Sequence, residues 1–148
     1  MKLNISIVIL MLFVAARVLV PPIVGSRSDV NSNSVVARLT YGTFSVLFTG
    51  DAEGPTEAWL LRSGSDLHAN VLKVAHHGSR YASSARFLTA VGPSIAVVSV
   101  GTGNVYRHPA AGTLARLARA GAKVYRTDVD GTVTIETDGA TLTVADAR

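Results

Sequence analysis

The sequence predicts a single α/β domain. Short apolar runs alternate with amphipathic helical segments along the chain, which is the order of elements in a sheet with flanking helices. The chain of 148 residues is 48% apolar and 16% charged, so it is large enough for one core and unlike a disordered segment. No repeat or low-complexity tract interrupts this pattern.

The strands are predicted from apolar or alternating runs that end at turn residues. Tyr41-Gly42 joins the first two strands, and Asp138-Gly139 joins the last two as a hairpin. The run at 95–100 is the most uniformly apolar, which predicts a central strand buried on both faces. After a loop at 23–33, the predicted strands are residues 35–40, 43–48, 71–75, 95–100, 123–126, 132–137 and 141–144.

Three helices are predicted from capping residues and from apolar positions that recur on one helical face. Pro suits a first helical turn, Ser caps a helix N-terminus, and Gly suits the left-handed residue after a helix. On these signals the first helix covers residues 57–62, the second follows Ser83-Ser84 and stops at Gly92-Pro93, and the third runs from Pro109 to Gly121.

The charge and the residue types limit the chemistry. Fourteen Lys and Arg against ten Asp and Glu give a net charge of +4, which mildly favours polyanionic partners such as nucleic acid, although an ordinary basic surface explains it as well. The absence of cysteine excludes thiolate metal sites, disulfides and cysteine nucleophiles. Any metal must therefore be held by His, Asp or Glu, which suits zinc or manganese in a hydrolytic site.

Residues 1–17 form an apolar N-terminal segment with three open interpretations. Lys2 precedes the apolar run and Val14-Ala15-Ala16 is similar to a small-residue cleavage site, as in a weak signal peptide. Extended to Val20, the run has about 18 residues, the lower limit for a membrane span, but Arg17 interrupts it. The third interpretation is an arbitrary start upstream of the true domain, residues 18–148.

Polar side chains follow two of the predicted strands where each strand ends. Asp51 follows Gly50 after the strand at 43–48, and His76 and His77 follow the strand at 71–75. Open α/β sheets collect ligands at this edge, so a carboxylate and an imidazole here could share a divalent metal ion. Adjacent side chains of an extended segment point opposite ways, so one histidine would ligate the metal and the other would orient a substrate or a carboxylate.

The loop after the strand at 95–100 adds phosphate-binding groups at the same edge. Asn104, Arg107 and His108 precede a helix N-terminus, which favours phosphate, and a guanidinium can add a bidentate contact. Gly78-Ser79 allows backbone N–H groups to approach an anion closely. We therefore predict Ser79, Asn104, Arg107 and His108 as substrate- or phosphate-binding residues. The structural alternatives are a Gly-Asp turn, a chance histidine pair and a capped loop.

Taken in order, these stretches resemble the metallo-β-lactamase-type domain of the ComEC family, membrane proteins of natural competence and DNA internalisation. The two motifs TGDAE and LKVxHHGS are the part of the resemblance that is most specific for this family. The resemblance runs from about residue 18 to the end of the chain. The matching stretches are VLVPP at 18–22, NSNSVV at 31–36, LFTGDAE at 47–53, LKVAHHGS at 72–79, NVYRHP at 104–109 and YRTD at 125–128.

The resemblance implies the second half of an αββα sandwich, with one or two divalent metals held between two β-sheets. Asp51 matches the family's metal-bridging aspartate, and the pair His76-His77 matches its later histidine ligand, with His76 preferred because it lies nearest the strand end. Asn104 and His108 match the loop that flanks the site. The metal of such a site acidifies water for attack on a phosphodiester or similar ester, so Asp51, His76 and His77 are the predicted catalytic residues. Degradation of one strand of incoming DNA is the function proposed for this domain in the family.

The sequence departs from the family at one motif. The H-x-H-x-D-H cluster is absent, and the only histidines are residues 68, 76, 77 and 108. Asp51 and one histidine make two ligands, whereas catalytic zinc usually has three protein ligands. We therefore expect weak metal binding and little or no hydrolysis by the isolated chain. The open sheet face should need a missing N-terminal half-domain, or self-association, to cover it.

Three functions stay open on the sequence alone. The first is part of a metal-dependent phosphodiesterase or nuclease linked to DNA uptake and transformation. The second is an inactive truncated remnant, or a non-catalytic subunit that binds DNA or complements another polypeptide. The third is a hydrolase of a small ester or a cyclic nucleotide. By resemblance the chain is expected at a membrane, through its N-terminal segment, or outside the cytoplasm, and a cytoplasmic location also stays open.

Overall fold

The computed structural model of the chain describes residues 14–19 and 30–147. The strands are β1 (Val14–Leu19), β2 (Val36–Tyr41), β3 (Phe44–Phe48), β4 (Val71–Lys73), β5 (Ile95–Val98), β6 (Lys123–Arg126), β7 (Val133–Thr137) and β8 (Leu142–Asp146). The helices are α1 (Gly54–Arg62), α2 (Ala85–Val91), α3 (Ala111–Arg119) and the single turn α4 (Thr127–Asp130). Two further turns, Asn31–Asn33 and Ala75–Gly78, are 3-10 helical.

The first six strands form one mixed sheet in the order β1-β2-β3-β4-β5-β6. The first three strands are antiparallel neighbours, whereas β3 to β6 run parallel and are joined by α1, α2 and α3. This architecture confirms the predicted α/β class and is consistent with half of an αββα sandwich. Because four strands are parallel, their carboxyl ends meet at one edge of the sheet.

The helical layer packs on one face of this sheet through the main core. Successive side chains of a strand point to opposite faces, so Leu72 of β4 faces the helices while Val71 faces away from them. Phe87 of α2 and Leu117 of α3 close this core, with 1% and 0% of their surface exposed. Apolar burial on this scale is the principal force that orders the strand ends.

The hairpin β7-β8 packs on the other face of the sheet. Val71, Ile95 and Tyr125 are buried there, against partly buried side chains of the hairpin. The hairpin covers part of the sheet face that was expected to lie open, and an apolar groove remains beside it. The groove is lined by Phe44, Val46, Phe48, Val71, Lys73, Val97, Val133 and Ile135. Cover of this groove by another half-domain or by a second copy stays a prediction.

The N-terminal segment is partly described. Residues 14–17, which were grouped with the apolar segment 1–17, belong to β1, where Val14 pairs with Tyr41 and Leu19 pairs with Val36. Residues 1–13, and most of the predicted loop at 23–33, lie outside the described residues, so a signal or an anchor stays a prediction. Within the described part of the chain, no helix is long and apolar enough to cross a membrane.

Several element ends differ from the predicted ones. β4 stops at Lys73 and β5 stops at Val98, two residues short of the predicted ends, because the chain turns into the site loops there. The first helix starts at Gly54 rather than at residue 57, with Pro55 in its first turn. β1 and the short helix α4 were not predicted, because neither has a periodic apolar pattern of its own.

Candidate active site

Asp51 lies on a sharp turn at the carboxyl end of β3. Gly50 has a φ of +52°, in the left-handed region that glycine tolerates best. The Asp51 amide donates to Ser34 Oγ at 3.1 Å, and buried Thr49 donates its hydroxyl to the carbonyl of Lys73 at 2.6 Å. These bonds fix the turn to its neighbours and leave the Asp51 side chain 42% exposed.

The two histidines lie on a strained turn at the end of β4. The predicted extended segment is wrong here, because His76 (φ 45°) and His77 (φ 51°) both have left-handed backbone conformations within the 3-10 turn Ala75–Gly78. Such a conformation costs roughly 1–2 kcal/mol per non-glycine residue and concentrates at functional sites. The His76 amide donates to the carbonyl of Gly50 at 3.0 Å, which joins this turn to the Asp51 turn.

His77 is the histidine whose ring nitrogen faces Asp51. Its Nδ1 lies 2.6 Å from the carbonyl oxygen of Ser99, which can only accept, so Nδ1 donates and, in the neutral imidazole, Nε2 has the free lone pair. That Nε2 lies 4.0 Å from Asp51 Oδ1. Zinc-ligand distances of about 2.0–2.2 Å allow two ligands of one ion to be this far apart. A carbonyl that orients a histidine in this way is the usual outer partner of a metal ligand.

His76 has a different partner. Its Nδ1 lies 2.8 Å from Glu53 Oε1, and both side chains are mostly buried, with 24% and 18% of their surface exposed. Ser79 is 3% exposed and donates its hydroxyl to the same Glu53 oxygen at 3.4 Å. The carboxylate therefore orients the His76 ring.

The loop between β5 and α3 brings the third group of predicted residues to the site. The Asn104 amide closes this loop, because it donates to the carbonyls of Gly101 and His108 and accepts from the His108 amide at 2.9 Å. The His108 ring centroid lies 5.6 Å from that of His76. Burial lowers the pKa of His108, and the nearby His76, His77 and Arg80 lower it further. His108 is thus favoured as the neutral imidazole.

An open cavity of about 200 Å³ lies between these loops. His77, Asn104 and His108 line it, together with Tyr106 and the backbone around Val100 and Gly101. The structure therefore brings together Asp51, both histidines of the pair and His108. Arg107 is exposed on the same loop, and buried Ser79 supports His76 through Glu53. The assigned roles of all these residues stay predictions.

Comparison with known proteins identifies relatives of this chain. No family model matches the chain. It is 40% identical over 104 residues to "Competence protein ComA" of Neisseria gonorrhoeae, which is 70% of this chain and 15% of that protein. It is 36% identical over 132 residues to "Recombination protein 2" of Haemophilus influenzae, 89% of this chain and 16% of that protein. The match to "ComE operon protein 3" of Bacillus subtilis is 36% over 103 residues, 70% of this chain and 13% of that protein. The chain is homologous to the ComEC family of competence proteins.

The homology covers a small part of the ComEC-family relatives. The chain spans about a sixth or less of the length of each of these three proteins. The predicted resemblance to competence proteins of this family is confirmed.

Asp51 and His77 are the two residues here that could hold a metal ion. Among residues 14–19 and 30–147, no group of three or more His, Asp or Glu side chains is placed to hold a metal ion. The pair fits a metal by donor type, tautomer and separation, but falls short of the three protein ligands of a usual catalytic zinc site. The residues present therefore fit part of a metal site.

Two acidic residues of the site region were missed from the sequence. In the sequence, Glu53 and Glu57 are typical of an N-terminal helix charge and a solvated face, but Glu53 pairs with His76 and Glu57 is only 2% exposed. The Glu57 carboxylate accepts from the amides of Ser83 and Ser84, the latter at 3.0 Å, at the start of α2. The polar Thr49-Gly50-Asp51 stretch ahead of Glu53 was the available signal for a site carboxylate, whereas nothing in the sequence separates Glu57 from a surface glutamate.

Proposed function

We propose that this chain supplies part of the metal-dependent phosphodiesterase centre of a ComEC-like protein that acts on DNA during uptake. The observation that carries the proposal is the pair of Asp51 and His77 Nε2 at 4.0 Å, at the meeting point of two parallel strand ends. The homology to competence proteins supports the link to DNA. A membrane-associated location is part of the same proposal.

Asp51 and His77 are the residues that would hold the metal. Ser99 fixes the His77 ring with Nε2 toward Asp51, so this geometry favours His77 over the His76 preferred from the sequence. A zinc or manganese ion at this position would acidify water for attack on a phosphodiester. The strained backbone of the pair holds both rings in place before any ligand binds.

His76 is suited to proton transfer next to that pair. Its Nδ1 bonds to the Glu53 carboxylate, which fixes the orientation of the other ring nitrogen. His108 is held mainly neutral 5.6 Å away between ring centroids, so it can donate or accept one hydrogen bond to a phosphate or a leaving oxygen. Asn104 positions this group by closing the loop at both ends.

The remaining metal ligands would come from outside the described residues or from another polypeptide. Two ligands bind a divalent ion weakly, and a further half-domain or a second copy packed on the apolar groove would bring additional side chains to the sheet edge. The isolated chain is therefore expected to bind metal weakly and to hydrolyse little. Its activity should rise when the groove is covered.

One observation favours a second candidate function. Because the described residues include no three-ligand group and the chain carries a net charge of +4, a non-catalytic subunit that binds DNA fits these facts as well. Such a subunit would bind DNA equally well with and without divalent metal. The catalytic proposal instead requires phosphodiester cleavage that depends on metal and on Asp51.

The experiment is a cleavage assay on single-stranded and double-stranded DNA with manganese or zinc. Wild-type protein is compared with Asp51→Asn, which keeps the side-chain shape, and with His68→Asn, which changes an exposed histidine of another loop. Slow metal-dependent cleavage that Asp51→Asn abolishes and His68→Asn retains supports the catalytic proposal. DNA binding without any metal-dependent cleavage, at high protein concentration as well, supports the second candidate.

A further inference from the structure

The loop from Asn104 to His108 is rigid and yet presents large side chains to solvent. Two hydrogen bonds between the Asn104 side-chain amide and the His108 backbone hold its two ends together, and a third joins Asn104 to the carbonyl of Gly101. Between those ends, Val105 is 86% exposed and Tyr106 is 76% exposed. A fixed loop with exposed apolar and aromatic groups is a preorganised binding surface, because little conformational entropy is lost when a ligand binds.

Tyr106 is oriented by the site itself. Its ring lies nearly parallel to the His108 ring, with centroids 5.9 Å apart and an angle of 20° between the ring planes. It also lines the cavity that His77 and Asn104 share. The ring thus stands at the mouth of the cavity, supported on its His108 side and widely open to solvent.

Arg107 follows Tyr106 directly in the chain. Arg107 has a positive φ of 57°, a strained conformation for a residue with a side chain, and it is exposed. Within the described part of the chain its guanidinium has no hydrogen-bond or ion-pair partner. The neighbouring loop adds exposed Arg80, and the two loops are joined by the bond from the Ala110 amide to the carbonyl of Gly78 at 2.9 Å.

We propose that Tyr106 is a stacking platform for one unpaired base of a single-stranded nucleic acid, with Arg107 at an adjacent backbone phosphate. The proposal rests on the proposed function and deepens it, because it names the form of the substrate. An aromatic ring beside a guanidinium is the pair of groups that binds single strands with little sequence preference. In a duplex the faces of a base are covered by its neighbours, so this ring can stack only on an unpaired base.

The test is a binding assay that needs neither metal nor hydrolysis. Fluorescence anisotropy measures the Kd of the full chain for a labelled oligothymidylate of about twelve nucleotides, a length that covers one typical single-strand site. The buffer contains EDTA and little salt, and the same oligonucleotide annealed to its complement is the duplex probe. The variants are Tyr106→Leu, which removes the aromatic face, and Tyr106→Phe, which keeps it.

Tyr81→Leu is the matched control, because Tyr81 is 70% exposed but is not among the residues that line the cavity. We expect Tyr106→Leu to raise the Kd for the single strand by about 5- to 150-fold. Tyr106→Phe and Tyr81→Leu should stay within about twofold, and the duplex Kd should be insensitive to all three variants. Arg107→Ala should reduce the slope of log K against log salt by about one, whereas Arg62→Ala should not.

Three results would overturn the proposal: no binding of the single strand by wild type, an equal loss in Tyr106→Leu and Tyr81→Leu, or tighter binding of the duplex than of the single strand. The proposed function fails separately, since it requires metal-dependent cleavage. Binding that depends on Tyr106 but is not followed by cleavage would support the stacking role of Tyr106 and refute the proposed hydrolase. Metal-dependent cleavage together with an unchanged Kd in Tyr106→Leu would support the proposed hydrolase and refute the base-stacking role of Tyr106.

Discussion

Replacement of Glu57 by Ala should destabilise the fold strongly, although glutamate is normally a surface residue. Glu57 is 2% exposed, and its carboxylate accepts hydrogen bonds from the amides of Ser83 and Ser84. Hydrogen bonds to a charged group contribute about 1.5–3 kcal/mol each, and removal of the carboxylate also relieves its own burial cost. The net loss in the free energy of unfolding should be roughly 3 kcal/mol, with a fall in Tm of about 6–12 °C for a domain of this size.

The Glu57 assay is urea unfolding at neutral pH, followed by circular dichroism and by the fluorescence of Trp59, the single tryptophan, which lies on the same helix. Glu57→Gln keeps one acceptor and should lose roughly 2 kcal/mol. Glu136→Ala, an exposed glutamate of β7, is the control and should stay within about 0.5 kcal/mol. A Glu57→Ala loss no larger than that of Glu136→Ala would refute the conclusion that this carboxylate holds the loop after the histidine pair.

Three further substitutions test the packing and the electrostatics. Gly78→Ala places a Cβ atom 2.5 Å from Pro109 Cβ at a φ of +83°, so it should push the loop at 104–109 away and lower stability by about 1–3 kcal/mol, measured by urea unfolding. Phe87→Ala empties the centre of the helical core and should cost about 3–5 kcal/mol in the same assay; a loss below about 1 kcal/mol would contradict the packing. The Arg126 guanidinium binds both oxygens of Asp128 and lowers the pKa of that carboxyl in the folded state. The ion pair therefore stabilises the fold at any pH above the pKa of Asp128 in the unfolded chain. This stabilisation is lost as the pH falls through the lower pKa of the folded state. Asp128→Asn should therefore cost about 1 kcal/mol at pH 7 and much less in strong acid, and an equal cost at both pH values would contradict the ion pair.

The alternation of apolar runs and capped helices was sufficient to predict the α/β fold. Ser84 caps α2 through the amide of Phe87, and Gly92 and Gly121 take positive φ values after α2 and α3, as their positions in the sequence indicate. These signals depend on residues that are adjacent in the chain, so a single sequence is sufficient to predict the helix ends. β1 lacked such a signal, because an edge strand with exposed side chains gains its order from pairing with β2 rather than from its own pattern.

The sequence predicted that Asp51 and the two histidines lie near each other, but not which histidine faces Asp51. The sequence placed Asp51 and both histidines at one sheet edge, and they are close in space there. It could not assign the histidine that faces Asp51, because the left-handed backbone of His76 and His77 and the carbonyl of Ser99 decide the ring directions. Those contacts depend on residues far apart in the chain, which spacing alone does not reveal.

The position of the Tyr106 ring could not be predicted from the sequence either. Its identity was visible in the sequence, but its exposure and its stacking on His108 depend on how Asn104 closes the loop.

The central claim is that Asp51 and His77 form the metal-binding pair, and calorimetric titration of purified protein with zinc and with manganese tests it most directly. His77→Asn and His76→Asn are the matched variants, because asparagine tolerates the left-handed backbone at both positions. We expect wild type to bind metal weakly, Asp51→Asn and His77→Asn to lose that binding, and His76→Asn to retain it. Metal binding that survives Asp51→Asn, a loss in His76→Asn without one in His77→Asn, or no binding to the wild type would contradict the account.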